Sequence, residues 1–545
     1  MSLVRLHLMN PHWGQSHPPG RQATGTAFIE NEKRSGAELA QRLPSAEARA
    51  DEWRRALRGF NGFFAAVAHS SNRLVAAVDR VRSIPLFYGQ QDDQFFLSDD
   101  AEWVRQQLAD DEMDPISKEE FQLAGYVTGQ NTLYPNLKQL QAGEWLRVTS
   151  ARGGLSVTSE RYYRFLHTEP VTYDEPRLRL QLDGTVERSV HRLINYAAGR
   201  QIVIPLSRGY DSRLIATWLK RLGYDNVLTF TYGVPGNKES QYSKEVAAAL
   251  GANWHFVEYS AQKWREAWQT EERIRYQRWG SGWSTLPHVQ DWLAVKCLRE
   301  QGKVEPNCVF SPGHGAMAIL SHVAGLSQQN NTEALASSIW QKKYNLTPIQ
   351  HRQERLLKPT VLASAEEIVR AGSPDQVSAF STWEWQERQA KFLANSVRVY
   401  EFFDYDWWLP LWDSEFMAFW QRAPFRLRNS KAWYIDYVRE AYHATARVPK
   451  RWNLNNASES GLFWQACRRV LPRKVKCFSR RLFVNKSRES TMHASFGRYP
   501  THEYVVLSRC GYRHNGIVAH FFFKDMFDGD PGDGFEAMKD GWRRW

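Results

Sequence analysis

The feature that most constrains this chain is a short buried strand that turns through a tight polar loop into an amphipathic helix. It occupies residues 201–223 and reads QIVIPLSRGYDSRLIATWLKRLG. Ile202 to Leu206 predict the strand, and apolar residues at helical spacing predict a helix that ends at Gly223. Backbone N–H groups and the positive end of the helix dipole then meet at the loop, which favours binding of a phosphate group.

Two further strands and a helix follow directly. DNVLTFTYG (225–233) predicts a second strand, KESQYSKEVAAALG (238–251) a second helix, and NWHFVEYS (253–260) a third strand. This alternation is typical of a parallel sheet with helices packed on it. Ligands of such sheets bind beyond the carboxyl ends of the strands, where residues 207–212 and Tyr232-Gly233 fall.

The segment LSRGYDSRLIA resembles the pyrophosphate-binding loop of asparagine synthetases and their relatives, which reads Ser-Gly-Gly-x-Asp-Ser. TFTYG, Glu239 and EVAAALG agree with that family in order and spacing. The resemblance implies a parallel-sheet α/β ATP pyrophosphatase domain with a helical C-terminal part. It also implies an ATP-dependent, amide-forming ligase that activates a carboxylate as an acyl-adenylate, with ATP and Mg²⁺ as cofactors.

The chain before this domain predicts antiparallel β-structure. Residues 1–58 are polar without clear periodicity, but an alternating pattern then predicts a meander. Its strands are Phe63–Ala68, Leu74–Val78, Pro85–Tyr88 and Phe95–Leu97. The meander, with Asp79-Arg80, the PLFY run and a closing hairpin at 132–148, resembles the N-terminal glutamine amidotransferase domain of asparagine synthetases. The fold class implied is an antiparallel, Ntn-hydrolase-like α+β domain followed by the α/β domain.

The nucleophile of that N-terminal domain is missing from its usual place. The family's glutaminase uses an N-terminal cysteine, whose free α-amine serves as base. Position 2 is Ser2 here, and the first cysteine is Cys297. We therefore expect a degenerate amidotransferase-like scaffold without its own glutaminase, while Ser2 as a nucleophile stays the alternative.

The expected organisation has four parts. They are an amidotransferase-like domain at 1–165, a linker at 166–180, an asparagine synthetase-like ATP-binding domain at 181–460 and a basic extension at 461–545.

A second glycine-containing loop, CVFSPGHGAMAIL (308–320), resembles the family's Ser-Gly-x-Gly-x-Asp-Glu motif. Gly313 and Gly315 are retained, whereas Met317 and Ala318 replace the acidic pair that helps to hold magnesium. His314 occupies the variable position where asparagine synthetases can carry a glutamate proposed as general base. Histidine suits that task near neutral pH; the alternative is a histidine that moves no proton.

A third segment, WWLPLWD (407–413), resembles the family's Pro-Phe-Leu-Asp segment, with Pro410, Leu411 and Asp413 in register. The family's late catalytic lysine corresponds best to Lys450, with Lys431 as the second candidate.

The resemblance assigns magnesium, held through phosphates, to Asp211; the alternative for Asp211 is a helix N-cap. Arg208 stands where the family has glycine. It is either strained, if the position needs positive φ, or directs its guanidinium to the phosphates. The predicted catalytic residues are Asp211, His314 and Lys450. The predicted ATP- and pyrophosphate-binding residues are Leu206, Ser207, Arg208, Gly209, Tyr210, Asp211, Ser212, Thr231, Tyr232, Gly233, Ser311, Gly313 and Gly315.

Composition indicates a globular protein with an anionic partner. The net charge of +12 favours a nucleotide, sugar nucleotide, RNA or membrane surface, unless the chain is simply a basic enzyme. Residues 467–488 carry nine Lys and Arg and no acid, which suits either an anion clamp or a solvated helix face. No apolar run approaches the roughly 18 residues of a membrane span. Without a signal-peptide pattern or paired cysteines, we expect a cytoplasmic protein with reduced thiols.

The expected reaction joins a small-molecule carboxylate to an amine or to ammonia. The nitrogen could come from free ammonia, from a partner protein or from the substrate itself, as in relatives that form lactams. Amidation of a sugar carboxylate, with an anionic sugar nucleotide as substrate, is another precedent in the family. The first rival is a degenerate nucleotide- or partner-binding protein, favoured by Arg208, Met317 and Ala318. A tRNA-modifying enzyme is a weaker rival, because the catalytic cysteine pair is missing.

Overall fold

The computed structural model describes residues 4–151, 154–316, 331–428, 431–448 and 501–527. Its N-terminal part contains two β-sheets, with strand orders β1-β8-β7-β9 and β11-β10-β6-β5-β3-β2, and β4 pairs with β3. The strands are β1 Val4–His7, β2 Gly14–Gln15, β3 Arg21–Ile29, β4 Glu32–Ser35, β5 Asn61–His69, β6 Arg73–Val78, β7 Phe87–Gln91, β8 Gln94–Ser98, β9 Lys138–Gln139, β10 Glu144–Ala151 and β11 Gly154–Arg161. The helices here are α1 Gly36–Gln41, α2 Ala50–Gly59, α3 Ala101–Gln107 and α4 Pro115–Ala124. The expected antiparallel, β-rich N-terminal part is confirmed, with one parallel pairing between β1 and β8.

The predicted meander is split between the two sheets, because a turn after β6 leads the chain away. Asp79 is buried there, and its carboxylate accepts hydrogen bonds from the backbone N–H groups of Val81 at 2.8 Å and Phe64 at 3.2 Å. The hydroxyl of Ser83 also donates to Asp79, at 2.5 Å.

The segment before Gly59, which lacked clear periodicity, contains β1–β4, α1 and α2. Residues of β3 are buried on both faces of the strand, which removes the alternation that marks a half-buried strand.

The second part is built on a parallel sheet with the strand order β14-β13-β12-β15-β16. Its strands are β12 Ile202–Pro205, β13 Val227–Gly233, β14 Asn253–Glu258, β15 Val309–Phe310 and β16 Asp406–Trp407. Ile202 lies opposite Val227 on one side and Val309 on the other. The carboxyl ends of β12, β13 and β15 therefore meet at one edge, as the predicted α/β class requires.

The rest of this part is mainly helical. Its helices are α5 Glu175–Ala197, α6 Tyr210–Arg221, α7 Lys238–Leu250, α8 Ala261–Trp268, α9 Glu271–Ser281, α10 Trp292–Glu300, α11 Thr332–Lys343, α12 His351–Arg370, α13 Gln376–Glu384, α14 Arg398–Phe402, α15 Ser414–Arg422, α16 Phe425–Arg428, α17 Ala432–Ala446, α18 Thr501–Arg509 and α19 His514–Met526. Gly223 and Gly251 follow α6 and α7 with φ of +74° and +67°, the conformation that glycine accommodates at helix ends. Within the described ranges, no helix combines the length and apolar character needed to cross a bilayer.

A buried ion pair joins the N-terminal part to the helical layer. It lies in a π-helical stretch, Trp385–Leu393, that follows α13. The ammonium of Lys391 pairs with Glu387 and donates to the carbonyls of Val127 at 2.8 Å and Gly129 at 2.7 Å. Glu387 in turn accepts the N–H of Gly129 at 3.0 Å. The pair thus fixes a loop of the N-terminal part against the helices.

We predict that Lys391→Met lowers the free energy of unfolding by about 3–5 kcal/mol, because it leaves the Glu387 carboxylate buried without its cation. Urea denaturation near pH 7 measures the change. Lys358→Met is the matched control. Lys358 is exposed and pairs with Glu354, so its loss should cost less than about 1 kcal/mol. Equal midpoints for the two variants would show that the buried pair does not hold the two parts together.

Candidate functional site

The loop between β12 and α6 is shaped by its own serines. The Ser207 hydroxyl accepts the N–H of Gly209 at 3.0 Å, and the Ser207 N–H donates to the Ser212 hydroxyl at 3.3 Å. The Thr231 hydroxyl donates to the Leu206 carbonyl at 2.6 Å, which ties the loop to β13. Gly209 is exposed at the N-cap of α6 and provides no side-chain cap for the first turn. An uncapped helix N-terminus at the edge of a parallel sheet suits an anionic ligand.

Arg208 meets neither of the two expectations for it. It does not adopt a positive φ, so the position imposes no backbone strain on a bulky residue. Its guanidinium lies 5.6 Å from the ring centre of Tyr242 on α7 rather than over the loop. The Arg208 N–H donates to Glu239 at 3.1 Å, while Asn237 caps α7. Glu239, in the first turn of α7, therefore fastens the loop to that helix.

The second glycine loop lies directly against the first. The N–H of Ser311 donates to the Val203 carbonyl at 2.8 Å, so this loop leaves β15 beside β12. A Cβ atom on Gly313 would lie 2.5 Å from the backbone nitrogen of Ser212. A Cβ atom on Gly315 would lie 2.3 Å from the Cβ of Leu411. Glycine is needed at both positions because the backbones approach so closely, and the three predicted motifs converge.

The third motif is anchored from two other parts of the chain. Asp413 caps α15 and pairs with Arg192 of α5 at 2.9 Å. Asn61 of β5 donates to Asp413 at 3.0 Å and accepts the N–H of Ser414 at 2.8 Å. The N-terminal part therefore supports the segment on which Gly315 packs.

Asp211 lies in the first turn of α6, where Gly209, not Asp211, is the N-cap; the capping alternative is wrong. The Tyr434 hydroxyl of α17 donates to Asp211 Oδ1 at 2.6 Å, whereas Oδ2 makes no hydrogen bond to any described residue. Burial raises the pKa of Asp211, and Lys431 and the Tyr434 hydrogen bond oppose that rise. Burial lowers the pKa of Lys431, and the negative charge of Asp211 opposes that decrease.

Lys431 and Tyr434 both act on Asp211. Lys431 was the second candidate for the late lysine, and its charge acts on Asp211. Tyr434 was not predicted; its only sequence signal is a position three residues after Lys431. Lys450, Met317, Ala318 and the basic segment 467–488 lie outside the described residues.

His314 is held in one tautomer by its neighbour. Its Nδ1 lies 3.0 Å from the hydroxyl of Ser396, which itself donates to the Leu393 carbonyl at 2.7 Å. Ser396 must therefore accept a hydrogen from Nδ1, which leaves the lone pair on Nε2. Burial and the nearby His288 lower the pKa of His314 to about 4, so the ring is neutral near pH 7 but is a weaker base than the sequence predicted.

A buried histidine–carboxylate pair that the sequence did not predict acts on His314. His288 Nδ1 lies 2.6 Å from Asp291, and the Tyr400 hydroxyl donates to the other oxygen of Asp291 at 3.3 Å. Burial opposes a charge on His288, but Asp291 outweighs it and raises the pKa of His288. When it is protonated, the His288 imidazole disfavours protonation of His314.

Of the remaining predicted residues, Tyr210 is the first residue of α6, and Tyr232 and Gly233 lie at the carboxyl end of β13. Tyr232 stacks on Tyr259 with ring centres 5.0 Å apart, and Gly233 adopts a φ of +138°. The Gly233 carbonyl accepts the N–H of Tyr259 at 2.8 Å. These contacts fix the strand end at the same edge as the Ser207–Ser212 loop.

A magnesium ion at Asp211 would depend on phosphate oxygens. Among the described residues, no group of three or more His, Cys, Asp or Glu side chains could hold a metal ion alone. Asp211 Oδ2 is nevertheless a carboxylate oxygen without a protein partner there. One carboxylate combined with phosphate oxygens and water is a set that Mg²⁺ accepts.

Comparison with known proteins gives two family matches. Residues 49–163 match the glutamine amidotransferase domain, and residues 181–304 match asparagine synthase. A search of curated proteins finds no match.

Three solved structures show limited similarity. One is an NH3-dependent NAD synthetase from Campylobacter jejuni subsp. jejuni NCTC 11168, with 13% identity over 37% of this chain and 83% of that chain, and a TM-score of 0.20. Another is the allosteric regulatory enzyme of purine biosynthesis, with 11% identity over 46% and 62% and a TM-score of 0.19. The third is glutamine phosphoribosylpyrophosphate amidotransferase from B. subtilis, with 12% identity over 57% and 65% and a TM-score of 0.19.

The order of the two family matches agrees with the order of the two structural parts, the antiparallel sheets first and the parallel sheet second. The chain therefore has an asparagine synthetase-like architecture, in which an amidotransferase-like part precedes an asparagine synthase-like part.

Proposed function

We propose that this protein is an ATP-dependent ligase that activates a carboxylate as an acyl-adenylate and converts it to an amide. The observation that carries the proposal is the convergence of the Ser207–Ser212 loop, the Gly313 loop and Asp211 at one edge of the parallel sheet. The asparagine synthase match supports the amidating class of ligase.

In the first step, a carboxylate oxygen attacks the α-phosphorus of ATP, a new P–O bond forms and pyrophosphate leaves. The hydroxyls of Ser207 and Ser212 and the N-terminal amides of α6 would hold the leaving pyrophosphate. Asp211 would bind magnesium, which, when bound, supplies positive charge to the phosphates. Lys431, whose charge acts on Asp211, adds a cation to the same region. Most of the rate enhancement in such a site comes from positioning and charge stabilisation.

In the second step, an amine or ammonia attacks the acyl carbon, the C–N bond forms and AMP leaves. The nitrogen loses a proton in this step. His314 is the proposed acceptor, because Ser396 fixes its Nδ1–H and leaves the lone pair on Nε2.

The source of nitrogen is proposed to lie outside the N-terminal part. We infer that this part acts as a scaffold without glutaminase activity, through contacts such as that between Asn61 and Asp413. Ser2 lies outside the described residues. Free ammonia, ammonia from a partner protein or an amine of the substrate would then complete the reaction. Lactam formation and amidation of a sugar carboxylate belong to this proposal, as does a cytoplasmic location.

A second candidate is a protein that binds nucleotide without turning it over. It is favoured by Met317 and Ala318, which stand where the related motif has its acidic pair. The tests below separate the two candidates.

We predict that Asp211→Asn lowers ATP–pyrophosphate exchange at least about a hundredfold, because the amide replaces the proposed magnesium ligand. Exchange is measured on the full chain with a panel of carboxylates. Asp225→Asn, which changes an exposed carboxylate after α6, should leave exchange unchanged. Full exchange in Asp211→Asn would contradict the assigned role. ATP binding without exchange for any acid in the wild type would favour the non-catalytic candidate.

We predict that Tyr434→Phe shifts the loss of magnesium-dependent ATP binding at low pH (the acid limb of the pH profile) to a higher pH. The hydroxyl stabilises the ionised form of Asp211, so its loss raises a pKa that burial has already raised. Binding falls as the pH falls through that pKa, because the protonated carboxyl is a poor magnesium ligand. Titration calorimetry across pH 4–8 measures the limb. The control is Tyr437→Phe on the same helix, whose hydroxyl donates to Asp183; identical limbs for both variants would reject the coupling.

We predict that His314→Gln lowers amide formation about a hundredfold or more while ATP–pyrophosphate exchange persists, because a base is needed only when the nitrogen attacks. Ser396→Ala should lower amide formation less, since it removes only the group that fixes the tautomer. A parallel loss of exchange in His314→Gln would instead assign His314 to nucleotide binding.

A further inference from the structure

A cavity of about 210 Å³ lies between the N-terminal part and the helical layer, apart from the residues assigned to nucleotide binding. One wall comes from the turn before β7 and from the segment that joins β8 to α3. The opposite wall comes from the end of α9 and the start of α14. Four arginines line it: Arg82, Arg275, Arg278 and Arg398.

Two of these arginines are buried without full hydrogen bonding. Arg82 is 2% exposed and Arg398 is 7% exposed. Arg82 donates from Nε to the Leu140 carbonyl, but its Nη1 makes no hydrogen bond within the described ranges. Arg398 pairs with Glu401 and donates to the Ser83 carbonyl, while its Nε stays unbonded there.

Arg82 forms no ion pair within the described part of the chain. Burial together with Arg398 lowers its pKa to about 9, although the more distant carboxylates of Asp79 and Glu387 oppose that shift. Two neighbouring buried guanidinium groups, each with an unsatisfied N–H group, are costly unless an acceptor meets them, and of the two it is Arg398 that has a carboxylate partner, Glu401, within the described residues.

The acidic residues around the cavity use their oxygens elsewhere. Asp99 accepts two backbone N–H groups and an indole N–H from the segment after β1. Asp100 accepts the N–H of Glu102 in α3. Glu102 pairs with Arg105 and accepts the indole N–H of Trp283. None of the three forms an ion pair with an arginine of the cavity in the described residues.

The remaining two arginines are solvent-exposed. Arg275 and Arg278 of α9 form no ion pair with any described residue. Trp279 beside them is 42% exposed, and its ring lies 5.5 Å from the guanidinium of Arg398. The two exposed arginines therefore make the entrance to the cavity positively charged. A positively charged entrance raises the local concentration of anions near the buried arginines.

We propose that this cavity binds a small anion through a phosphate or carboxylate group. The forked N–H groups of arginine match both oxyanions, and the volume lies below the roughly 300–1,000 Å³ of sites for drug-sized ligands. The site is distinct from the Ser207–Ser212 loop, and the proposal stands whether or not the protein turns over ATP.

The test is isothermal titration of the full chain, without ATP, with inorganic phosphate and with succinate at matched ionic strength. We expect saturable binding of at least one anion, and the tighter one identifies the group that the site prefers. Arg82→Gln should weaken binding at least about tenfold, and the exposed Arg278→Met about threefold. If Arg82→Gln does not fold, Arg278→Met alone decides. Arg352→Met, which removes an exposed arginine from α12, should leave affinity unchanged.

Three results would overturn the proposal. The first is the lack of saturable binding of either anion. The second is equal affinity in the wild type and Arg278→Met. The third is binding that survives Arg278→Met but disappears in Ser212→Ala, which would place the anion at the nucleotide loop.

Discussion

The close approach of Gly313 to the first turn of α6 is the contact on which the site depends. A side chain at this position would collide with the backbone nitrogen of Ser212. The contact forms because β12 lies between β13 and β15, so that loops distant in the sequence leave the sheet at the same edge. Gly315 repeats the arrangement against Leu411 and brings in the third motif. Geometry at this edge is thus fixed by backbone contacts more than by side-chain chemistry.

Charge at the same edge is controlled from other parts of the chain. Asp211 is a half-buried carboxylate whose ionised form depends on Lys431 and Tyr434, so the start of α17 influences a group in α6. The N-terminal part contributes through Asn61, which bonds Asp413. This contact gives the N-terminal part a structural role at the site, since removing it leaves Asp413 and the N–H of Ser414 short of a partner.

Much of this architecture was predictable because it is encoded locally. The strand, loop and helix at residues 202–221 follow from a short apolar run and helical periodicity, and Gly313 signals a close backbone approach. Other features depend on partners far away in the sequence. Tyr434 contacts Asp211 although the two residues are 223 positions apart, and the hydrophobic pattern of the sequence does not predict such a long-range contact. The direction of the Arg208 side chain depends on Tyr242, and the split of the N-terminal meander depends on the buried carboxylate of Asp79.

The proposed function requires the loop at residues 207–212 to receive the pyrophosphate end of ATP. Hydrogen–deuterium exchange of the full chain, with and without magnesium and ATP at saturating concentration, tests it most directly. We expect slower exchange in peptides covering 206–213 and 311–316, with no such change in peptides from β10 and β11. Saturable ATP binding that leaves both segments unprotected would contradict the claim and place the nucleotide elsewhere.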